Sequence, residues 1–376
     1  MKRQDKMKAV GVDPRARKIG IVQHPAPGTL RADEVKIRTL EVGVCGTDKE
    51  ICSFAYGSPP VGADYLILGH ECLGEVVETG PNIKSLKPGD LVVPTVRRPC
   101  SHRYCQPCRV GRQDFCATND FTERGIKLRH GFMTEFYVEE EKFLSPVPSK
   151  LRDIGVLVEP LTVAEKAFDQ LLHIQTRLPW ECPIIEGKKP WHCHRAVVLG
   201  AGPIGILGAM KLIANGFETF VYSRSPAPNA KSRLVESFGA KYISSQETPV
   251  DRLVEKIGDI NLVYEAVGAS EIAFDLLRAL GMNGIFIFTG IPAPEGTINL
   301  PANLLMRNLV LKNQVILGTV NADRGAFEAA IKDLARFKKL WPEAVQSLIT
   351  GRYKLEAFQD VVSGKIPGIK NVIALD

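Results

Sequence analysis

The chain has no apolar run near the length of a membrane span: stretches such as Ala196–Leu199 and Ile285–Phe288 fall far short of the about 20 residues a bilayer requires. The basic stretch Met1–Met7 leads into no apolar core and no small-residue cleavage site, so a secretory signal is not expected and a cytoplasmic setting is. Like charges never gather into a block of five or six, although the net charge is +6. Phosphate backbones are bound by clustered cations, so a nucleic-acid partner is not expected, nor is a membrane one. Internal repeats and low-complexity tracts are also missing.

What is present is a globular composition, with 45% apolar and 24% charged residues over 376 positions. That length suits two domains, each with its own core. The first third shows short β-type segments at Glu34–Leu40, Leu73–Glu78, Asp90–Pro94 and Phe132–Val138, broken by Gly and Pro, which predicts a mostly β domain. From Val158 the period becomes helical, with Val163, Ala167, Leu171 and Ile174 on one face. The breaker-rich stretch Leu178–Pro190 reads as the connection to a second domain.

Beyond it, strand and helix alternate: a strand at Ala196–Leu199, a helix over Pro203–Asn215, a strand at Thr219–Ser223, a helix over Ala230–Phe238, then strands near Leu262–Glu265 and Ile285–Thr289. Alternation of this kind builds a doubly wound parallel sheet of the Rossmann type, an α/β fold. The helical stretch Arg324–Phe337 and the segment Val372–Leu375 have no βαβ partner and are expected to return to the first domain. The predicted boundaries are therefore 1–182, completed by 323–376, and 183–322.

Gly200-Ala201-Gly202-Pro203-Ile204-Gly205 follows an apolar strand and opens a helix. Gly200 permits a tight turn, Gly202 a close approach to pyrophosphate and Gly205 close helix packing, while the helix N-terminus offers free N–H groups. In this setting the motif predicts a dinucleotide site. The next strand ends in Ser223-Arg224, where a reader of the ribose 2′-hydroxyl would carry a carboxylate. A cation there suits a 2′-phosphate, and so NADP, with NAD also accepted; the plain alternative is a surface arginine.

Two metal sites are expected from the ligand residues. Cys45, in Gly43-Val44-Cys45-Gly46-Thr47-Asp48, and His70-Glu71 supply a thiolate, an imidazole and a carboxylate, the donors of a catalytic zinc with an open position. Nine cysteines occur in all, and Cys100, Cys105, Cys108 and Cys116 crowd into one lobe, as a closed structural zinc requires. Sulfur donors favour Cys100 as the fourth ligand, with His102 as the alternative. Cys182 and Cys193, flanked by His192 and His194, read as plain linker residues, with a metal site or a disulfide as alternatives.

At these residues the sequence resembles the medium-chain alcohol dehydrogenase family over nearly its whole length. Val93–Pro99, Gly111–Cys116, Glu123-Arg124-Gly125-Ile126, His130-Gly131-Phe132-Met133 and Val158-Glu159-Pro160-Leu161 are similar to the archaeal glucose dehydrogenase branch. The resemblance implies a GroES-like catalytic domain beside the Rossmann domain. It implies a catalytic zinc on Cys45, His70 and Glu71, with Glu159 as a direct or water-bridged ligand. It further implies catalytic roles for Thr47, Glu71 and Glu159, and sugar contacts from Thr47, Glu123, Glu159 and Asn321, with Asn321 also reaching the coenzyme. Thr47 would pass the hydroxyl proton on, the product would be an aldonolactone, and the protein would be a dimer or tetramer. A polyol or simple alcohol dehydrogenase, and a non-catalytic binding relative, are the competing readings; intact zinc ligands oppose the second.

Overall fold

A computed structural model describes residues 5–293 and 296–375. The first four residues of the basic N-terminal stretch lie outside the described residues.

The chain divides into two units, Met1–Thr162 with Asn321–Arg336 and Val345–Asp376, and Val163–Val320 with Phe337–Ala344. The helix Val158–Gln175 therefore changes unit near its start, where the sequence placed the boundary after Cys182. The reason is its apolar face. Ala164, Ala167, Phe168 and Leu171 surround a small void together with Leu212 of the helix Pro203–Asn215 and with Leu262, Tyr264 and Ile287 of the second unit's sheet.

The first unit is built on a seven-stranded sheet centred on Glu34–Gly43, which pairs with Glu71–Thr79 and with the C-terminal strand Lys370–Ala374. Val35, Ile37 and Thr39 are buried in alternation, as a strand with one core face requires, and from Thr39 to Gly43 every residue is buried. The segment 321–336 and the last strand return to this unit.

One expected strand is shorter than its pattern. Only Phe136–Glu140 pairs as a strand, while Phe132 and Met133 donate their N–H groups to Gly69 and Leu68. Their backbone bonds are spent on the segment that carries His70, which pulls them out of the ladder.

The second unit is a six-stranded parallel sheet in the order Lys241–Ser244, Glu218–Ser223, Arg195–Leu199, Ile260–Glu265, Leu280–Phe288, Val315–Gly318. Counted along the unit this is 3-2-1-4-5-6, the doubly wound order, with its switch point beside Arg195–Leu199. A core including Val197, Leu199, Val263, Leu276 and Phe286 fills the space between sheet and helices. No helix among the described residues is long and apolar enough to cross a membrane.

Candidate active site

Cys45 caps the short helix Gly46–Cys52, and His70 and Glu71 stand at the start of the strand Glu71–Thr79. The register brings them together, because Gly43 lies opposite Glu71. A Cβ at Gly43 would come 2.1 Å from the Glu71 carboxylate, so the glycine before Cys45 makes the room in which Glu71 lies. Donor atoms of Cys45, His70 and Glu71 all fall within 4.8 Å of one another.

These donors suit zinc. Sγ of Cys45 and Nε2 of His70 are 3.1 Å apart. Bond lengths of about 2.3 Å to sulfur and 2.0 Å to nitrogen set a tetrahedral S–N separation of about 3.5 Å. The other ring nitrogen, Nδ1, is buried without a hydrogen-bond partner and faces Oδ1 of Asp48 at 3.7 Å. Asp48 is itself fixed, accepting from the Cys45 N–H at 2.9 Å. A carboxylate behind the imidazole is the arrangement that orients a metal-bound histidine.

Glu71 is held from the far side by Lys370, whose Nζ lies 2.7 and 2.6 Å from its two oxygens, both residues being buried. Burial works against the Lys370 ammonium, but the negative groups around it, Glu71 first and then Cys45 and Glu159, together outweigh it and the pKa is raised. A carboxylate has about four lone-pair sites, so this pairing leaves acceptor capacity for a cation. Glu159, in the first turn of Val158–Gln175, lies outside the closely spaced three. Burial and the nearby Glu71 charge push its carboxyl up to about 7, against the pull of His70. Thr47 sits in the first turn of Gly46–Cys52, partly buried.

Glu123 and Asn321, 198 positions apart, meet: Nδ2 of Asn321 donates to Oε1 of Glu123 at 2.9 Å. Arg97 donates its Nε to the same oxygen at 3.0 Å, and both members of this ion pair are buried. Glu123 is thus no solvated surface charge. The adjacent Arg124 anchors the segment from below, with Nε 2.9 Å from Glu139 and Nη2 2.7 Å from the Val138 carbonyl. Burial pushes Glu139 up, yet Arg124 and Arg98 outweigh it and hold the carboxyl down at about 2. A permanently ionised post therefore fixes the loop that presents Glu123.

In the cysteine lobe, Cys100, Cys105, Cys108 and Cys116 place their sulfurs within 4.8 Å of one another. The Cys105 and Cys116 sulfurs are 3.9 Å apart, close to the about 3.8 Å edge of a tetrahedral zinc–thiolate site. His102 turns away to Asp120, with Nε2 2.8 Å from its carboxylate. The geometry therefore gathers Cys100, and not His102, with the other three sulfurs.

At the dinucleotide motif, a Cβ on Gly205 would come 2.1 Å from the Gly200 carbonyl, so the third glycine is dictated by packing. Gly202 caps the helix Pro203–Asn215 and has open space where a Cβ would stand. Protein packing alone does not demand that glycine; room for a close ligand does. Pro203 and Ile204 are partly exposed in the first turn, where the missing proline N–H costs nothing. Ser223 ends its strand, and the exposed Arg224 side chain carries no ion pair or hydrogen bond among the described residues.

Four residues were not singled out from the sequence: Lys370, Asp48, Arg97 and Glu265. Glu265 is buried at the switch point and accepts from the N–H groups of Val267, Gly268 and Gly290 at 2.7, 2.7 and 3.0 Å. Only Asp48 carried a local signal, being three positions after Cys45 at a helix start. Cys182 and Cys193 are also corrected: they form a disulfide and are not plain linker residues, because the Pro-rich connection folds back and brings their Cα atoms to 5.6 Å.

Comparison with known proteins accords with this layout. Residues 31–149 match the alcohol dehydrogenase GroES-like domain, and residues 152–375 match the glucose dehydrogenase C-terminus. Glucose 1-dehydrogenase of Methanocella arvoryzae is 37% identical over 372 residues, covering 98% of this chain and 99% of that protein. The Thermoproteus tenax glucose 1-dehydrogenase is 37% identical over 371 residues, with the same coverage of both chains. Among solved structures, Haloferax mediterranei glucose dehydrogenase in complex with NADP, Zn and gluconolactone superposes with a TM-score of 0.85 at 30% identity, over 98% of this chain and 99% of that one. The chain belongs to the zinc-dependent medium-chain alcohol dehydrogenase family, in its glucose dehydrogenase branch.

Proposed function

We propose that this protein is a glucose 1-dehydrogenase, oxidising an aldose such as D-glucose at C1 to the aldonolactone with hydride transfer to NADP or NAD. The observation that carries the reading is the convergence of Cys45, His70 and Glu71 in a chain related along its full length to glucose 1-dehydrogenases. The Haloferax relative holds NADP, Zn and gluconolactone together, the ligands this reading assigns here.

Zinc, held by Cys45, His70 and Glu71 with Glu159 as a direct or water-bridged ligand, supplies Lewis acidity toward the C1 hydroxyl. The nicotinamide coenzyme supplies the hydride acceptor. The remaining work falls to the chain. Lys370 holds the Glu71 carboxylate in place, and the Asp48 carboxylate faces the His70 ring from behind, 3.7 Å from Nδ1. Thr47 receives the hydroxyl proton through its own hydroxyl and passes it on. Glu123 and Asn321 offer a charged acceptor and an amide to sugar hydroxyls; buried polar groups of this kind penalise a ligand that lacks partners for them. Cys100, Cys105, Cys108 and Cys116 hold a structural zinc.

Gly202 at the N-terminus of Pro203–Asn215 would take the coenzyme pyrophosphate, with Gly200 and Gly205 shaping the turn, and Ser223 and Arg224 would meet the 2′-phosphate. The protein works in the cytoplasm as a homo-oligomer, a dimer or tetramer. In support of assembly, the edge strand Val315–Gly318 has a neighbour on one side only among the described residues, and the preceding helix exposes Met306, Val310 and Leu311.

The test is coenzyme reduction by the zinc-loaded protein with glucose, galactose, a polyol and a simple alcohol, each with NADP and NAD, alongside metal analysis. Aldoses should give the highest kcat/KM. A preference for the polyol or the alcohol would overturn the substrate assignment, and coenzyme reduction with none of them would return the protein to a binding role.

A further inference from the structure

The connection between Val158–Gln175 and Arg195–Leu199 carries a third group of metal-ligating side chains, used by neither zinc site above. Cys182 and Cys193 are joined there as a disulfide, and the next residue, His194, aims one ring nitrogen at both sulfurs. Its Nδ1 is 3.2 Å from the Cys182 sulfur and 3.4 Å from the Cys193 sulfur. A tetrahedral zinc ion sets its sulfur and nitrogen ligands about 3.5 Å apart, so the imidazole already stands at ligand distance from the pair. A disulfide acting only as a staple has no use for a third donor aimed at it.

The surroundings favour a bound ion. The Cys193 N–H donates to the Cys182 sulfur at 2.9 Å, a bond that strengthens when that sulfur becomes a thiolate. Trp180, Trp191 and Phe217 pack around the His194 ring, with centroids 4.2, 5.8 and 6.0 Å away. The ring is buried and held, and the His194 carbonyl is tied to the sheet by the Glu218 N–H at 3.0 Å. Cys193 is exposed, which gives a cation an entrance from solvent and leaves room for water as a fourth ligand.

We propose that Cys182, Cys193 and His194 form a third metal site, for a thiophilic divalent cation of the zinc type, in the protein whose Cys182–Cys193 bond is reduced. A small dithiol delivers two electrons and two protons to the bond, leaving two thiols and becoming a disulfide itself. The incoming cation displaces the two thiol protons to solvent, and the sulfurs part to about 3.8 Å around it while His194 stays in place. Oxidation by a small disulfide takes two electrons from the thiolates, re-forms the bond and releases the ion. The connection is thereby locked either by sulfur–sulfur bonding or by metal, according to the redox state.

The experiment uses the full chain, reduced with excess dithiothreitol, freed of it under argon and incubated with or without zinc. Alkylation of Cys182 and Cys193 by iodoacetamide is followed by peptide mass spectrometry, and zinc per chain is measured in parallel. Zinc should slow alkylation of both residues by at least about tenfold, since a metal-bound thiolate is a poor nucleophile. His194→Ala should lose most of this protection, and the Cys182→Ser, Cys193→Ser double variant should hold one zinc equivalent fewer than reduced wild type. Dehydrogenase activity should be kept in both, as neither replaces a residue of the proposed active site. Equal alkylation rates with and without zinc, protection undiminished in His194→Ala, an unchanged zinc content in the double variant, or a bond that resists the dithiol would each overturn the proposal.

Discussion

The two ligand clusters of the first unit follow opposite plans. Cys100, Cys105, Cys108 and Cys116 come from one short lobe and offer four sulfurs. Cys45, His70 and Glu71 come from two separated segments, mix three donor types, and lean on the buried Asp48 and Lys370. A closed all-sulfur set satisfies its ion by itself, so binding energy goes into folding. A mixed set with charged groups behind it leaves a coordination position open and holds its ligands against movement. The first plan stabilises, and the second leaves room for chemistry.

The largest expected effect breaks this comparison at both ends. Removing the Lewis acid by His70→Ala forfeits several kcal/mol of transition-state stabilisation, so kcat should fall at least about a thousandfold. Its melting temperature should stay near that of wild type. Cys108→Ala should do the reverse: a drop of about 10 °C in melting temperature, with smaller losses in kcat at a temperature where it remains folded. Metal analysis, thermal melts and steady-state rates on both variants check this. Comparable rate losses at equal zinc content would erase the distinction between the clusters.

The contrast also separates what was legible in the sequence from what was not. The cysteine lobe and the glycine turn are local, so spacing along the chain reported both, and the helix Pro203–Asn215 was read at its observed bounds. Lys370 could not be read that way. It reaches Glu71 across 299 positions because the last strand pairs with Glu34–Gly43, a consequence of sheet order that no local pattern encodes. The same holds for the pairing of Cys182 with Cys193, which depends on how a Pro-rich connection folds back. Glu123 was placed only by family resemblance; its burial follows from Arg97 on a different short strand.

Lys370 gives the next test. Lys370→Met removes one partner of a fully buried ion pair and strands the Glu71 carboxylate, which should destabilise the protein by about 3–5 kcal/mol in denaturant unfolding. Adding Glu71→Gln to Lys370→Met should recover much of that loss, since no unpaired charge remains. If the single variant is as stable as wild type, Lys370 is not what holds Glu71.

A smaller effect is expected at the proposed sugar contacts, where the choice of variant matters. Glu123→Ala would leave the buried Arg97 without its partner and confound binding with stability. Asn321 is the better target because its φ is 61°, a left-handed value that glycine adopts without strain. Asn321→Gly therefore deletes the amide, with its bonds to Glu123 and the Ala322 N–H, without straining the backbone. The kcat/KM for glucose should fall about tenfold to a hundredfold, the range of one or two lost hydrogen bonds to a buried charged group, with a lesser change on a short alcohol. Equal losses on both substrates would assign Asn321 to the coenzyme or to folding.

The smallest expected effect lies on the second unit, at Arg224. Its side chain is exposed and unpaired among the described residues, so Arg224→Ala should leave stability unchanged, unlike every buried ion above. A guanidinium at the end of the second Rossmann strand pairs with a 2′-phosphate through charge-assisted hydrogen bonds, to which Ser223 adds a hydroxyl donor. Loss of that contact should raise the KM for NADP more than about tenfold and hardly alter the KM for NAD, which has no phosphate there. Since one chain can accept both coenzymes, activity with NAD alone decides nothing; the ratio of the two kcat/KM values does. A ratio that is the same in wild type and variant would place Arg224 outside the phosphate site and leave coenzyme preference to other groups around the turn.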